Sequence, residues 1–280
     1  PIESAVLKDK KVKREEMTTA QFRTKCREYA ESYIEKMTGQ FQRLGVLGEW
    51  ENPYITLLPE FEAKQIEIFS QMAEKGYIYK GLKPVYWCPD CETALAEAEI
   101  EYAEDPCDSI YVKFRVTEDK GLLSAKGVDP SKVYFVIWTT TTWTIPGNLA
   151  ICLGPDFAYV LVKSGDEYYI MAEALYENAM KAAGKEEYGI IASFKGSELE
   201  YMKAAHPYLD RESLVILGDH VTLESGTGCV HTAPGFGVED YDVCHNSYPE
   251  VGIVVPVDAH GRLTAEAGDE FAGLTTGEAN

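Results

Sequence analysis

Positive charge is scarce in this chain. Its 280 residues hold 26 Lys and Arg against 46 Asp and Glu, a net charge of −20, which excludes a protein whose whole surface grips a nucleic-acid backbone. The shortage is uneven: residues 1–50 carry 10 basic against 8 acidic residues, and residues 51–280 carry 16 against 38. Arg is missing between Arg115 and Arg211. The one dense basic run, residues 8–14 (KDKKVKR), reads either as a solvated loop or as a contact to phosphate. No apolar run reaches the length of a membrane span, and the N-terminus lacks the apolar core of a secretory signal. Seven cysteines without framework spacing argue against a disulfide scaffold and for reduced thiols in a cytoplasm. Repeats and low-complexity segments are also lacking. A first residue that is Pro rather than Met, and a last stretch (TTGEAN) with no closing element, suggest a piece of a longer polypeptide.

What is present is an ordinary globular composition, 45% apolar and 26% charged, in a chain long enough to bury a sizeable core. Phe22, Cys26, Tyr29, Tyr33, Met37, Phe41 and Leu44 recur at helical spacing and predict an amphipathic helix from Thr19 to Leu44, ended by Gly45 or Gly48. Residues 59–76 predict another, with Pro59 at its start, Phe61, Ile68, Phe69 and Met72 inward, and Gly76 as its stop. Strands are then predicted at 109–116 (half buried), 132–138 (fully buried), 213–221, 226–234 and 252–257. A hairpin over 158–172 should turn at Ser164-Gly165-Asp166, and a short helix should follow over 173–184. The expected fold is mixed α/β: a strand-rich, barrel-like core with peripheral helices over 109–262, a helical flank over 1–108 before it, and a return segment over 263–280.

Two stretches carry candidate chemistry. Residues 138–148, WTTTTWTIPGN, place four threonines where a buried strand should end. Residues 226–244, GTGCVHTAPGFGVEDYDVC, hold Gly226 and Gly228, His231 at a strand end, a forced reversal at Pro234–Gly237, and Glu239, Asp240 and Asp242 at a helix start. Singly, each has a plain structural reading: Thr favours strands, a strand histidine is often a bonded core residue, and acids in a first turn answer the helix dipole.

Together, the two stretches resemble the editing insertion of class I aminoacyl-tRNA synthetases that handle branched aliphatic amino acids, and within that branch the isoleucyl type. "PIE" at the start, KPVYWCPDCETALAEAEIEY (83–102) and GDHVT (218–222) agree with it in the same order. Trp143 and Asn148 fit the isoleucyl pattern. The valyl and leucyl types instead carry an Arg, for which this chain has no counterpart between Arg115 and Arg211. Thr142 departs from a usual Pro, and Phe236 stands where a His is common.

The resemblance implies hydrolytic editing. One methylene in an apolar pocket discriminates by only ~1–3 kcal/mol, a limit known from isoleucyl enzymes themselves, so a second site must remove misattached valine. It implies that Thr139, Thr140 and Thr141 orient substrate and water, that His231 limits side-chain size, and that Asp240 pairs with the α-ammonium group, all five as catalytic residues. Trp138, Asn148, Gly228 and Glu239 are the implied substrate-binding residues. Neutral hydroxyls would orient water without burying an unpaired charge. The implied partner is the acceptor end of tRNA(Ile) carrying valine, to a monomeric protein with no membrane contact. Editing itself needs no cofactor.

Cys88 and Cys91, in CPDC, offer half of a zinc site, to be completed only from outside this chain; Cys107 is near in sequence. Cys229, two residues from His231, admits a thiol-hydrolase reading that lacks a partner acid. The His-x-Gly-His and Lys-Met-Ser-Lys-Ser signatures of the ATP site are absent, so ATP, Mg and amino-acid activation belong to a full-length enzyme. The alternatives are a catalytically silent insertion that only positions the acceptor end, and an editing domain of valyl or leucyl type.

Overall fold

The structure is a computed structural model that describes residues 2–9, 13–104 and 106–280. Residues 10–12 of the basic run, and Pro1 of the opening "PIE", lie outside the described residues. The chain divides into two compact units, Pro1–Gly81 and Leu82–Asn280. This division falls before the anticipated boundary at 108.

The first unit is helical. It contains α1 (Ile2–Asp9), α2 (Thr19–Arg43) and α3 (Pro59–Glu74). Thr18 and Gln21 start α2 with a reciprocal cap: the Gln21 N–H donates to Thr18 Oγ1 at 3.3 Å and the Thr18 N–H to Gln21 Oε1 at 2.9 Å. Each pair satisfies a backbone donor that a helix start leaves free. Pro59 begins α3, where its missing N–H costs nothing. The inward residues anticipated on α3 are not buried. Ile68, Phe69 and Met72 are exposed, and α3 has no buried residue. Helical periodicity defines an apolar stripe but does not supply the layer that would cover it.

The second unit is a mixed sheet with helices at its flanks. A two-stranded knuckle, β1 (Trp87–Cys88) and β2 (Thr93–Ala94), comes first. Then follow β3 (Ile110–Glu118), β4 (Val133–Thr139), β5 (Ala150–Leu153), β6 (Ala158–Ser164), β7 (Glu167–Ala172), α4 (Tyr176–Ala182), β8 (Gly189–Lys195), α5 (Gly196–Leu199), β9 (Lys203–Ala205), β10 (Glu212–Leu217), β11 (Cys229–Thr232) and α6 (Val238–Ser247). Among the described residues, nine strands form one sheet in the order β11-β5-β10-β9-β3-β4-β7-β6-β8. The β10–β5 and β4–β7 pairs are parallel, and the others are antiparallel.

The strand order has two ends, so the sheet is open and not a closed barrel. It is nevertheless curled. Cys229 on edge strand β11 packs in the same core as Phe135 and Ile137 of β4 and Ile170 of β7, and the Thr227 carbonyl accepts the Ala172 N–H at 2.8 Å. Phe114, Phe135, Ile151, Leu161 and Val215 fill that core with no exposure. Val133, Phe135 and Ile137 of β4 therefore line the inside of the curl, while Val136 packs on the other face with Met171 and Met180.

The hairpin turn at Gly165 and the short helix before Gly184 occur where anticipated. The anticipated strand at 252–257 does not form. Only an isolated bridge, Val257 to Leu263, occurs there. Pro256 has no N–H to give to a ladder, and Gly252 sits at φ 74°. β5, β8 and β9 were not anticipated.

The two apolar sets make different demands. Phe135→Ala empties a filled site and should cost about 3–5 kcal/mol. Phe69→Ser, at a residue 56% exposed, should change stability by about 0.5 kcal/mol or less. Urea unfolding of this chain followed by circular dichroism compares the two.

Candidate functional site

β4 ends at Thr139, and a short 3-10 turn, Thr142–Gly147, carries the chain back into β5. Two of the threonines fold this loop with their own hydroxyls. Thr139 Oγ1 accepts the Thr141 N–H at 3.0 Å, and Thr144 Oγ1 donates to the Thr141 carbonyl at 2.8 Å. Thr142 is tied to the Ala279 carbonyl and to Asn280 Oδ1. The hydroxyls of Thr140 and Thr141, both half-buried, have no hydrogen-bond partner among the described residues.

Asn148 lies under the loop with no exposure. Its Nδ2 donates to the Ala150 carbonyl at 2.9 Å and lies 2.7 Å from His231 Nδ1, and its Oδ1 accepts the Ser213 hydroxyl at 2.6 Å. His231 Nε2 is 3.0 Å from Thr144 Oγ1. Asn148 thus has no polar atom left for a ligand; it supports the loop from behind. His231 likewise has both ring nitrogens engaged, which leaves ring carbons, and no basic lone pair, to present outward.

Two further groups hold the same loop and carried no sequence signal. His206 Nε2 donates to the Ile145 carbonyl at 2.9 Å, and Arg211 Nη2 donates to the Pro146 carbonyl. Burial pushes the pKa of both His206 and His231 down to about 4, so both rings are neutral at physiological pH.

The 233–237 reversal packs onto the loop from the other side. The Phe236 ring meets Trp143 edge-on at 5.0 Å between centroids. It also fills the space at Gly147, where a Cβ would lie 2.4 Å from the ring. Asp240, in the first turn of α6, is partly buried. Its Oδ2 accepts the Ala233 N–H at 2.9 Å; Oδ1 has no donor among the described residues. Burial raises its pKa, opposed by that N–H and by nearby His220.

Trp138 is half-buried, with Gly226 against its ring. Glu239 is exposed. Gly228 is buried and serves packing. A Cβ there would lie 2.4 Å from the Ala172 Cβ, its φ is +74°, and its carbonyl accepts the Tyr159 hydroxyl at 2.7 Å. Cys229 points into the core with Sγ 3.6 Å from the Ile170 carbonyl, and burial pushes its thiol pKa up; that is the opposite of an activated nucleophile.

Cys88 and Cys91 do come together, with the Cys91 N–H donating to Cys88 Sγ at 3.4 Å. The knuckle is anchored by the Trp87 indole on the Ala259 carbonyl at 2.8 Å. No third His, Cys, Asp or Glu among the described residues joins the pair, and Cys107 is exposed. Two thiols do not make the four-coordinate shell that zinc takes.

A cavity of about 110 Å³ lies beside α6, lined by Pro234, Tyr241, Cys244 and His245. A larger one, about 270 Å³, lies under α4. Neither is lined by Thr139–Thr141, of which Thr139 is buried and Thr140 and Thr141 are half-buried.

Residues 1–204 match the family model for class I tRNA synthetases of the I, L, M and V group. The chain belongs to the class I tRNA synthetases. Across its whole length it is 60% identical to the isoleucine–tRNA ligase of Caldicellulosiruptor bescii and 58% identical to that of Thermoanaerobacter sp. (strain X514); each match covers 100% of this chain and 30% of the relative. The chain therefore spans about 30% of the length of these synthetases. Two solved structures are similar at lower levels. GlLeuRS-CP1 gives a TM-score of 0.42 at 21% identity, covering 59% of this chain and 70% of that one. The editing domain of the Plasmodium knowlesi cytosolic leucyl-tRNA synthetase gives 0.40 at 15%, covering 51% and 65%. No helix among the described residues is long and apolar enough to cross a membrane.

The two neutral histidines of this synthetase segment link stability to pH. Each ring takes a proton near pH 6.5 when unfolded but only near about 4 when folded. The unfolded chain therefore binds more protons between those values. Stability is complete above pH 6.5 and falls as the pH drops toward 4, by up to roughly 3 kcal/mol per ring. Urea titrations at pH 7.5, 6 and 5 should show falling midpoints, with the fall reduced in His206→Gln.

Proposed function

We propose that this segment carries the hydrolytic editing site of an isoleucyl-tRNA synthetase, clearing valine from tRNA(Ile). The observation that carries this reading is the division of labour among the threonines. Thr139 and Thr144 spend their hydroxyls on folding the loop, and Thr140 and Thr141 keep theirs for a ligand and a water.

The reaction adds water to the ester carbonyl, breaks the bond from that carbon to the ribose oxygen, and returns a proton to the ribose oxygen. A neutral histidine with both nitrogens engaged does not serve as its base. Positioning replaces a base: a water held by threonine hydroxyls next to an ester activated by its own ammonium group has little entropy left to lose. Asp240 supplies the anionic partner. A partly buried carboxylate with one oxygen free of donors gains when a cation arrives, which favours a free α-ammonium over a blocked one. The His231 ring and the threonine methyls would form the wall that admits valine and rejects isoleucine.

The acceptor end of tRNA(Ile) is the partner this chemistry requires. The acidic surface supports a weak grip by this segment alone, with phosphate contacts supplied by the rest of a synthetase. Zinc at Cys88 and Cys91 would need two further donors, and none joins the pair among the described residues. Amino-acid activation, with ATP and Mg, belongs to that longer enzyme, as does a cytoplasmic location.

Deacylation of valyl-tRNA(Ile) and isoleucyl-tRNA(Ile) tests the reading, both by this chain and by a full-length synthetase containing it. Release of valine alone is expected. Asp240→Ala should slow it by about 10- to 100-fold, the loss of one charge-assisted contact. Equal hydrolysis of both esters, or none by the full-length enzyme, would overturn it; binding of the acceptor end without hydrolysis would mark a silent positioning insertion.

A further inference from the structure

The polar groups beneath the threonine loop can be assigned donor by donor. The Ala150 carbonyl can only accept, so the Asn148 atom 2.9 Å from it is the amide nitrogen. The opposite side of the amide is then the oxygen, and Ser213 must donate to it across 2.6 Å. The second Asn148 N–H points to His231 Nδ1 at 2.7 Å, and makes that nitrogen an acceptor. A neutral ring that accepts at Nδ1 carries its proton on Nε2. That proton faces Thr144 Oγ1 at 3.0 Å, whose own hydrogen goes to the Thr141 carbonyl at 2.8 Å. Every bond runs the same way, from Ser213 through Asn148, His231 and Thr144 to the backbone of Thr141.

We propose that Ser213 is a positioning residue for editing: it begins a one-way hydrogen-bond chain that fixes the His231 tautomer and, through Thr144, the backbone that presents the Thr140 and Thr141 hydroxyls. This rests on the editing reading given above. Ser213 touches no reacting atom. It is fully buried on β10, the strand parallel to β5, and it is the sole hydrogen-bond donor to Asn148 Oδ1 among the described residues. Without it that oxygen is buried and unpaired, and the orientation that gives both amide hydrogens to Ala150 and His231 loses much of its advantage over a rotated amide. The histidine then loses the donor that holds its Nδ1 as an acceptor, and the loop loses the bond from Thr144 that closes it.

The test pairs a spectroscopic readout with a kinetic one. Nitrogen-15 NMR of the His231 ring in this chain should show one neutral species protonated at Nε2 from pH 8 to pH 5. A ring protonated at Nδ1, or titrating near pH 6.5, overturns the proposal whatever the variants do. Ser213→Ala should mix the tautomers and lower kcat for valyl-tRNA(Ile) hydrolysis five- to tenfold, with KM changed less than twofold. Ser213→Thr, which keeps the hydroxyl, should restore both. Should Ser213→Ala fail to fold, the wild-type spectrum together with Ser213→Thr decides. A single Nε2–H ring with normal kinetics in Ser213→Ala refutes the role. If the full-length wild-type synthetase containing this segment does not hydrolyse the ester, the editing reading fails while the NMR result still judges the chain of hydrogen bonds.

Discussion

One buried side-chain amide holds this site together. Asn148 bonds the backbone of β5, a hydroxyl on β10 and an imidazole on β11, so three adjacent strands of the sheet share a single polar centre. Its cost of burial is offset because each of its polar atoms has a partner, a condition under which buried networks rigidify and one-partner losses are severe. The loop that follows β4 has no regular ladder of its own. What shape it has comes from this amide below, from His206 and Arg211 on its Ile145 and Pro146 carbonyls, and from Phe236 above.

Parts of this arrangement are legible in the sequence because they follow from periodicity. The run Val133–Ile137 makes a buried strand wherever it is placed, and Gly165 between two apolar stretches makes a hairpin. β5 is a short strand whose partners in β10 and β11 lie far along the chain, and three-residue β9, although it pairs with nearby β10, also relies on distant β3, so no local pattern announces them. The stretch 252–257 has the opposite character, strand-like in composition but unable to donate at Pro256. Among the site residues, Thr139–Thr141, His231 and Asp240 stand out through the conjunction of two motifs, not through any one of them. Ser213, His206 and Arg211 do not stand out at all: a serine in an apolar strand looks like a tolerated substitution until its hydroxyl is seen facing an amide. Asn148 and Gly228 are legible as important; the structure adds that Asn148 supports the loop from behind and that Gly228 makes room for Ala172 and accepts the Tyr159 hydroxyl.

The first unit is a different kind of surface. α3 keeps its apolar stripe exposed, in a chain that spans about 30% of the length of related synthetases. Amphipathic helices of this sort take their stability from whatever layer covers them. The sheet unit, in contrast, has a filled interior of its own, and its loop is fixed by bonds within residues 82–280. The chemistry and the scaffolding of this segment thus have separate physical dependencies.

The contact between Gly147 and Phe236 has an evolutionary meaning. The ring occupies the volume that any side chain at 147 would need, so these positions, 89 apart in sequence, cannot drift independently. A side chain at 147 needs the residue 236 ring moved or made smaller, and a smaller residue 236 leaves space next to Trp143. Substitutions at the two places should therefore be inherited as a pair, and the spacing of the threonine loop from the helix bearing Asp240 would change only when both do.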